Sequence, residues 1–406
     1  MTKRTLIIFT LFLISLTCFA QYNWNIQDSG TEHDVICAHF NDANTGWIAG
    51  GGTPATILKT TDGGSNWSHI ISDIEGAELK GIFFTDDETG WIVGENGTII
   101  KTTNGGFDWE QQDTNATGVL QSVNFTDPDN GWIVGGEPSV VLSTQDGGNN
   151  WIEHAIVDTS LDLNSIHFAN QNSGWIVGKS GTILHTTDAG VSWNAQVSGT
   201  SRTLKDVYFI DSQTGWIVGG SGEILHTTDG GTIWTAQFPQ TNSTLKSVFF
   251  TNENNGWAVG TEGTIIYTTD GGQNWETEDS GTAVDLKGVF FADADNGWIV
   301  GELGLILYHD GNVDAADEEL QITNYNLRNY PNPFNPETTI YFEITDLHNV
   351  SQIEIFNSKG QSVDTIDIES AIDNSVVWNA EIFASGVYFY KLNSTGSPMQ
   401  KMVLMK

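Results

Sequence analysis

Carboxylates are the first residues to consider for chemistry, because two neighbouring carboxylates can hydrolyse a glycosidic bond. One motif, Thr-Thr-Asp-Gly-Gly-x-x-Trp, recurs with small changes, and its third position holds Asp62, Asn104, Asp146, Asp188, Asp229 and Asp270. A short carboxylate at this place accepts backbone N–H groups within a turn, and the following glycines allow positive φ. We therefore interpret these residues as structural turns, and no carboxylate stands out from the repeat as catalytic.

Lysine recurs at a second repeated position, which lies at the start of an apolar run. Six of these positions hold Lys80, Gln121, Asn164, Lys205, Lys246 and Lys287. If this position lines a central channel, the four lysines form a cationic ring that suits an anionic partner. The alternative is that their stems pack on the channel wall while the ammonium groups balance nearby carboxylates.

The formal net charge of −36 excludes some partners. So acidic a surface repels nucleic acids and anionic membranes. Only Cys18 and Cys37 are present, and Cys18 falls in a predicted signal, so no internal disulfide is expected. His185 and His226 share one repeated position, but no second ligand pattern accompanies them. We predict no catalytic residue, no metal ligand and no cofactor.

The elements that position these residues follow from a repeat of 41 to 44 residues. Gly-Trp recurs seven times, at Trp47, Trp91, Trp132, Trp175, Trp216, Trp257 and Trp298. Each unit offers four short β-rich runs that are divided by glycine and Asn/Asp turns. This period with four strands per unit predicts an all-β fold, a seven-bladed β-propeller.

The seventh unit lacks the second tryptophan that the other six carry. The missing piece occurs near the start of the chain, where Asn23-Trp24 and Asp28-Ser29-Gly30-Thr31 match Asn274-Trp275 and Asp279-Ser280-Gly281-Thr282. We therefore predict that Trp24 belongs to a strand that completes the last blade. Such a strand closes the ring and leaves no free sheet edge there.

The turn motif resembles the Asp-box, also called the bacterial neuraminidase repeat, in which it is a structural turn at the blade periphery. Sialidases of that type hold the substrate carboxylate with clustered arginines, because the guanidinium group binds carboxylates in a bidentate manner. Beyond the predicted signal the chain has only Arg202 and Arg328, of which only Arg202 falls in the propeller. The sequence therefore argues against a sialidase activity.

The complete unit resembles the photosystem II stability/assembly factor family of seven-bladed propellers. The likeness rests on Gly-Trp-Ile-Val-Gly, Gly-Thr-Ile and Thr-Thr-Asp-Gly-Gly-x-x-Trp, and it covers residues 22 to 312. The resemblance implies an assembly chaperone that engages a photosystem subunit through an arginine-rich patch. This chain departs there, since lysine, glutamine and asparagine occupy the position.

The two ends of the chain indicate export. Residues 1–20 have the charged start, apolar stretch and small-residue end of a signal peptide. The propeller is predicted over 21–312, an acidic linker over 313–327, and a small immunoglobulin-like β-sandwich over 328–406. The last segment resembles the type A sorting domain of the type IX secretion system. That resemblance implies contact with the secretion machinery and an exported protein, secreted or on the outer-membrane surface of a Bacteroidetes-like bacterium.

The sequence thus predicts a secreted or surface-displayed propeller that binds a protein or glycan and has no transmembrane segment after signal removal. Two alternatives stay open: an extracellular glycoside hydrolase, and an assembly factor like the resembling family.

Overall fold

The computed structural model of this chain describes residues 24–70, 74, 76–136, 139–154, 161–309, 326–343, 352–357, 359, 361–368, 375–392 and 400–406. The chain divides into two compact units, Met1–Asp314 and Ala315–Lys406. The predicted signal peptide 1–20 and most of the predicted linker 313–327 lie outside the described residues.

The described part of the first unit consists of seven antiparallel sheets, each with four strands. The chain enters with β1 (Asn25–Gln27). Three sheets follow in chain order: β2 (Val35–Phe40), β3 (Gly46–Gly50), β4 (Ile57–Thr60) and β5 (Ser68–His69); β6 (Leu79–Phe84), β7 (Gly90–Gly94), β8 (Ile99–Thr102) and β9 (Glu110–Gln111); β10 (Val119–Phe125), β11 (Gly131–Gly136), β12 (Val140–Thr144) and β13 (Ile152–His154).

Four further sheets complete this unit. Three are continuous in the chain: β14 (Leu163–Phe168), β15 (Gly174–Gly178), β16 (Ile183–Thr186) and β17 (Asn194–Ala195); β18 (Leu204–Phe209), β19 (Gly215–Gly219), β20 (Ile224–Thr227) and β21 (Thr235–Gln237); β22 (Leu245–Phe250), β23 (Gly256–Gly260), β24 (Ile265–Thr268) and β25 (Glu276–Glu278). The seventh contains β26 (Leu286–Phe291), β27 (Gly297–Gly301) and β28 (Ile306–His309). Short 3-10 turns join the second and third strands of five sheets: Glu95–Gly97, Lys179–Gly181, Gly220–Gly222, Thr261–Gly263 and Glu302–Gly304.

The seventh sheet takes its outermost strand from the other end of the propeller. Strand β1 pairs antiparallel with β28, with Asn25 opposite Tyr308 and Gln27 opposite Ile306. The Trp24 indole also donates a 2.8 Å hydrogen bond to the Glu278 carboxylate of the preceding sheet. The segment that the sequence predicts for ring closure therefore lies within the last sheet.

Aromatic stacking joins every sheet to the next. The tryptophan of each second strand stacks on the last phenylalanine of the next sheet's first strand, with ring centroids 3.5 to 4.1 Å apart: Trp47–Phe84, Trp91–Phe125, Trp132–Phe168, Trp175–Phe209, Trp216–Phe250, Trp257–Phe291 and Trp298–Phe40. A second tryptophan meets each of these phenylalanines edge-on at 5.9 to 6.1 Å. Because such pairs add about 0.5–1.5 kcal/mol each beyond apolar burial, they hold the sheets in a closed ring.

The second unit contains two antiparallel sheets. Its strands are β29 (Asn326–Tyr330), β30 (Glu337–Glu343), β31 (Gln352–Asn357), β32 (Ser362–Asp367), β33 (Ser375–Asn379), β34 (Gly386–Leu392) and β35 (Gln400–Leu404). One sheet has the order β29-β30-β33 and the other β32-β31-β34-β35. Both contribute to one core around Trp378, Ile355 and Tyr390, as alternating apolar residues predict. The immunoglobulin-like arrangement of this unit stays a prediction.

Candidate functional site

A β-bulge aims the same repeated position of all seven inner strands at the propeller axis. Lys80, for example, is the extra residue between Leu79 and Gly81, which pair with successive partners on β7. A bulge turns the local backbone and redirects its side chain. The seven bulged residues, here called the mouth ring, are Ile36, Lys80, Gln121, Asn164, Lys205, Lys246 and Lys287. The four lysines of the sequence prediction therefore come together around one central cavity.

The cavity has a volume of about 370 Å³, and a second layer of small and polar residues also lines it. This polar ring consists of Cys37, Gly81, Ser122, Ser165, Asp206, Ser247 and Gly288. Asp206 is its one carboxylate among the described residues, and burial raises the pKa of this group. Its oxygens accept hydrogen bonds from the Ser165 and Ser247 hydroxyls and from the Val248 N–H at 2.7 to 3.0 Å. Asp206 therefore joins three neighbouring blades.

Below the polar ring lies a belt of mostly aromatic side chains, two residues further along each inner strand. The aromatic belt consists of His39, Phe83, Asn124, His167, Tyr208, Phe249 and Phe290. Neighbouring rings in it have centroids 4.6 to 5.2 Å apart. No belt residue is among the described residues that line the cavity. The cavity therefore opens at the mouth ring and ends above the belt.

The lysines of the mouth ring differ in their partners. Lys80 forms an ion pair with Glu78, Lys246 with Asp285 at 2.7 Å, and Lys287 with Glu302 at 2.6 Å. The Lys246 ammonium holds the pKa of Asp285 below its usual value.

Lys205 has no such partner within the described part of the chain, in either ion pairs or hydrogen bonds. Burial lowers its pKa, while the charge of Asp162 acts in the opposite sense. Carboxylates thus neutralise Lys80, Lys246 and Lys287, whereas the ammonium group of Lys205 remains available to a ligand.

The Asp-box residues lie at the periphery and not at the cavity. In each box the threonine hydroxyl donates to the carboxylate or amide, and the same oxygen accepts a backbone N–H four residues later, as in Asp62 with the Asn66 N–H at 2.9 Å. Hydrogen bonds from the Ser192 hydroxyl and N–H lower the pKa of Asp188 to about 2. These contacts stabilise the turn locally, as the motif predicts.

The boxes also connect neighbouring blades. The Trp175 indole donates to the Gly230 carbonyl of the next box at 3.3 Å, and Trp47, Trp132 and Trp216 repeat this bond. Gln196 adds a clamp, because it accepts from the Trp234 indole and donates to the same Gly230 carbonyl. Gln27 and Gln237 form the equivalent clamps.

Sequence reasoning missed Asp206, the aromatic belt and the glutamine clamps. The belt residues lie at a fixed spacing after the repeated lysine position, and the clamp glutamines lie at a fixed spacing after the second tryptophan of a unit. Both could therefore have been found from the sequence. Asp206 had no such signal, because it replaces the small residue that the other units carry there.

Two belt histidines predict acid sensitivity. Burial lowers the pKa of His39 and of His167 to about 4, below the ordinary value of 6.5. Between pH 6.5 and 4 the unfolded chain therefore binds more protons than the folded chain, so stability falls as the pH falls through this window. Urea unfolding at pH 7, 6 and 5 measures the effect.

The matched variant carries His39→Phe and His167→Phe, because Phe83, Phe249 and Phe290 occupy equivalent belt positions. Its stability should depend less on pH, although each imidazole also loses its hydrogen bond with the backbone of the next blade, at Phe84 or Phe209, worth about 1 kcal/mol. Some slope remains, since burial also lowers the pKa of half-buried histidines outside the belt. An unchanged slope in the double variant would contradict this assignment.

The repeated histidines of the third strands pack on tryptophan rings. His185 stacks on Trp175 and His226 on Trp216, with centroids 4.6 and 4.8 Å apart. Within the described ranges, no group of three His, Cys, Asp or Glu side chains is placed to hold a metal ion. Over the same residues, no helix has the length and hydropathy of a membrane span.

Seven four-stranded sheets in a closed ring around an axial cavity define a seven-bladed β-propeller. Residues 16–117, 107–199 and 234–324 match the family of the photosynthesis system II assembly factor YCF48. These segments cover more than half of the chain, and the protein belongs to this family.

Solved structures share the fold. YCF48 bound to a D1 peptide is 22% identical, with a TM-score of 0.61 over 71% of this chain and 95% of that chain. YCF48 from Cyanidioschyzon merolae is 19% identical, with a TM-score of 0.61 over 70% and 98%. PorZ, a surface component of the type-IX secretion system of Porphyromonas gingivalis, is 12% identical, with a TM-score of 0.54 over 94% and 60%. No curated protein matches the chain in sequence.

Residues 328–406 match the secretion system C-terminal sorting domain. The chain therefore joins a YCF48-like propeller to a sorting tail. This combination marks it as a secreted or cell-surface protein that contacts a secretion machinery.

Proposed function

We propose that this protein is an exported binding scaffold whose propeller holds an anionic ligand at the mouth ring. Export is proposed to use the type IX secretion system and to end outside the outer membrane of a Bacteroidetes-type bacterium. The sorting tail supports the route. The observation that carries the binding role is the cavity mouth, where four lysines and two amides surround one opening.

The distribution of charge in the propeller supports the mouth as the ligand-binding face. Lys179 and Arg202 lie in loops at the same end of the strands as the four mouth-ring lysines, and the propeller has only two further lysines or arginines, Lys59 and Lys101. The turns at the opposite end contain many carboxylates and neither lysine nor arginine. The positive charge of the propeller is therefore concentrated at this end, where carboxylates neutralise three of the mouth-ring lysines but not Lys205, and an anionic partner is repelled less there than at the opposite end. In the related structure, YCF48 is bound to a D1 peptide, and a peptide ligand is one form that this role can take.

The proposal is tested with a hexaglutamate peptide and a trigalacturonide as anionic probes and with hexalysine as the cationic control. Lys205→Glu should weaken binding of both anionic probes about tenfold or more, which corresponds to about 1.4 kcal/mol. Lys101→Glu is the matched control, because Lys101 lies on the third strand of its blade, over the Trp91 ring. Absence of binding by both anionic probes, or equal loss in the two variants, would refute a ligand site at the mouth.

A further inference from the structure

The cavity is too small to enclose a polymeric ligand. Its volume of about 370 Å³ lies at the lower end of the range for small-ligand pockets. Its lining residues also stop short of the aromatic belt, in which five of the seven neighbouring pairs make ring contacts. A ligand can therefore insert one terminal group from the mouth side, and the rest of that ligand must stay outside.

The walls suit a hydroxylated group better than a peptide side chain. Peptide anchors are mostly aromatic or aliphatic and fill apolar pockets. Here the mouth ring and the polar ring present amides, hydroxyls and ammonium groups, and the apolar part of the wall comes from small or aliphatic side chains: Ile36, Cys37, Ala38, Ile82, Val123 and Val289. Directional polar groups of this kind can pair with the several hydroxyls of a sugar ring.

Three consecutive mouth-ring residues form an arc with unused hydrogen-bonding capacity. Lys205 has no ion pair or hydrogen bond within the described residues, and the same holds for the Gln121 amide. Between them, Asn164 donates one N–H to the Leu204 carbonyl at 2.7 Å, which leaves its second N–H and its carbonyl oxygen available. The remaining lysines of the ring are already paired with carboxylates. The arc thus offers one cation beside two amides.

We infer that the mouth binds the terminal acidic sugar of a glycan, a uronic acid, with its carboxylate on Lys205 and its hydroxyls on Asn164 and Gln121. This inference rests on the proposed function and specifies its ligand class. The ammonium group of Lys205 meets the charge, and both amides can donate to and accept from hydroxyls.

The test compares methyl glycosides that differ only in the carboxylate. Methyl glucuronide, galacturonide and mannuronide are titrated calorimetrically, each beside its neutral parent glycoside. At least one uronide should bind about tenfold more tightly than its parent, and Lys205→Gln should abolish that difference. Gln121→Ala should weaken the uronide but leave hexaglutamate binding unchanged, because the peptide uses the charge alone. Lys59→Gln, a variant on the third strand of its blade, should change neither.

The possible results distinguish failure of the glycan inference from failure of the proposed anion-binding function. If no uronide exceeds its parent while hexaglutamate binds in a Lys205-dependent way, the ligand is an acidic peptide and the glycan inference fails alone. If neither class of anion depends on Lys205, both proposals fail. Thermal unfolding of each variant verifies that the propeller is intact, since Lys205 and Gln121 make no internal hydrogen bond among the described residues.

Discussion

A chain that lacks residues 328–406 should cross the inner membrane but should not reach the cell surface. The deleted segment is the sorting domain, and the propeller retains its own core without it. Surface labelling and fractionation of the native host should therefore find the truncated propeller in the periplasm, with surface signal reduced to background.

Two further variants test whether the tail itself is responsible for export. Residues 328–406 fused to a periplasmic reporter should send that reporter outside the cell, because the signal lies in the folded tail. Trp378→Ala should reduce export of the full chain, since Trp378 is buried and its indole donates to Asp364 at 2.8 Å. Normal surface display of the truncated chain would overturn the export assignment.

Loss of Trp24 should destabilise the propeller more than loss of its counterpart in a continuous blade. Trp24→Ala removes an edge-on contact with Phe291 and leaves the buried Glu278 carboxylate without its indole donor. We expect a cost of about 2–4 kcal/mol, from the lost packing and the lost hydrogen bond. It should also lower the urea m value, because the last blade can open before the rest of the ring.

Trp109→Ala is the matched control. Trp109 packs edge-on against Phe84 at 5.9 Å, as Trp24 does on Phe291, but its indole has no hydrogen-bond partner in the described structure. This variant should lose packing energy with an unchanged m value. Equal costs and equal m values in the two variants would show that the closing strand has no special role.

Much of the propeller could be predicted because its units repeat. The matches of Asn23-Trp24 with Asn274-Trp275 and of Asp28-Ser29-Gly30-Thr31 with Asp279-Ser280-Gly281-Thr282 place Trp24 in the last blade, and β1 indeed pairs with β28. Likewise, Asp62 and its counterparts were interpreted as turn residues because the box interactions are local, spanning four residues. Local geometry repeats wherever its sequence repeats.

The candidate site was only partly predictable. The repeated lysine position was visible in the sequence, but whether each ammonium is neutralised depends on residues elsewhere. Lys246 meets Asp285, a residue that belongs to the next blade and lies 39 positions away, whereas Lys205 meets no such carboxylate within the described residues. A sequence comparison of equivalent positions treats the two lysines as the same.

The sequence by itself determined the number of blades, the strand that closes the ring, and the sorting tail, because each is written as a repeated or contiguous pattern. Only the tertiary structure decided that the bulges aim the mouth ring inward, that the belt ends the cavity, and that Lys205 stays unpaired. These properties depend on distances between side chains of different blades, and such distances exist only after the ring has closed.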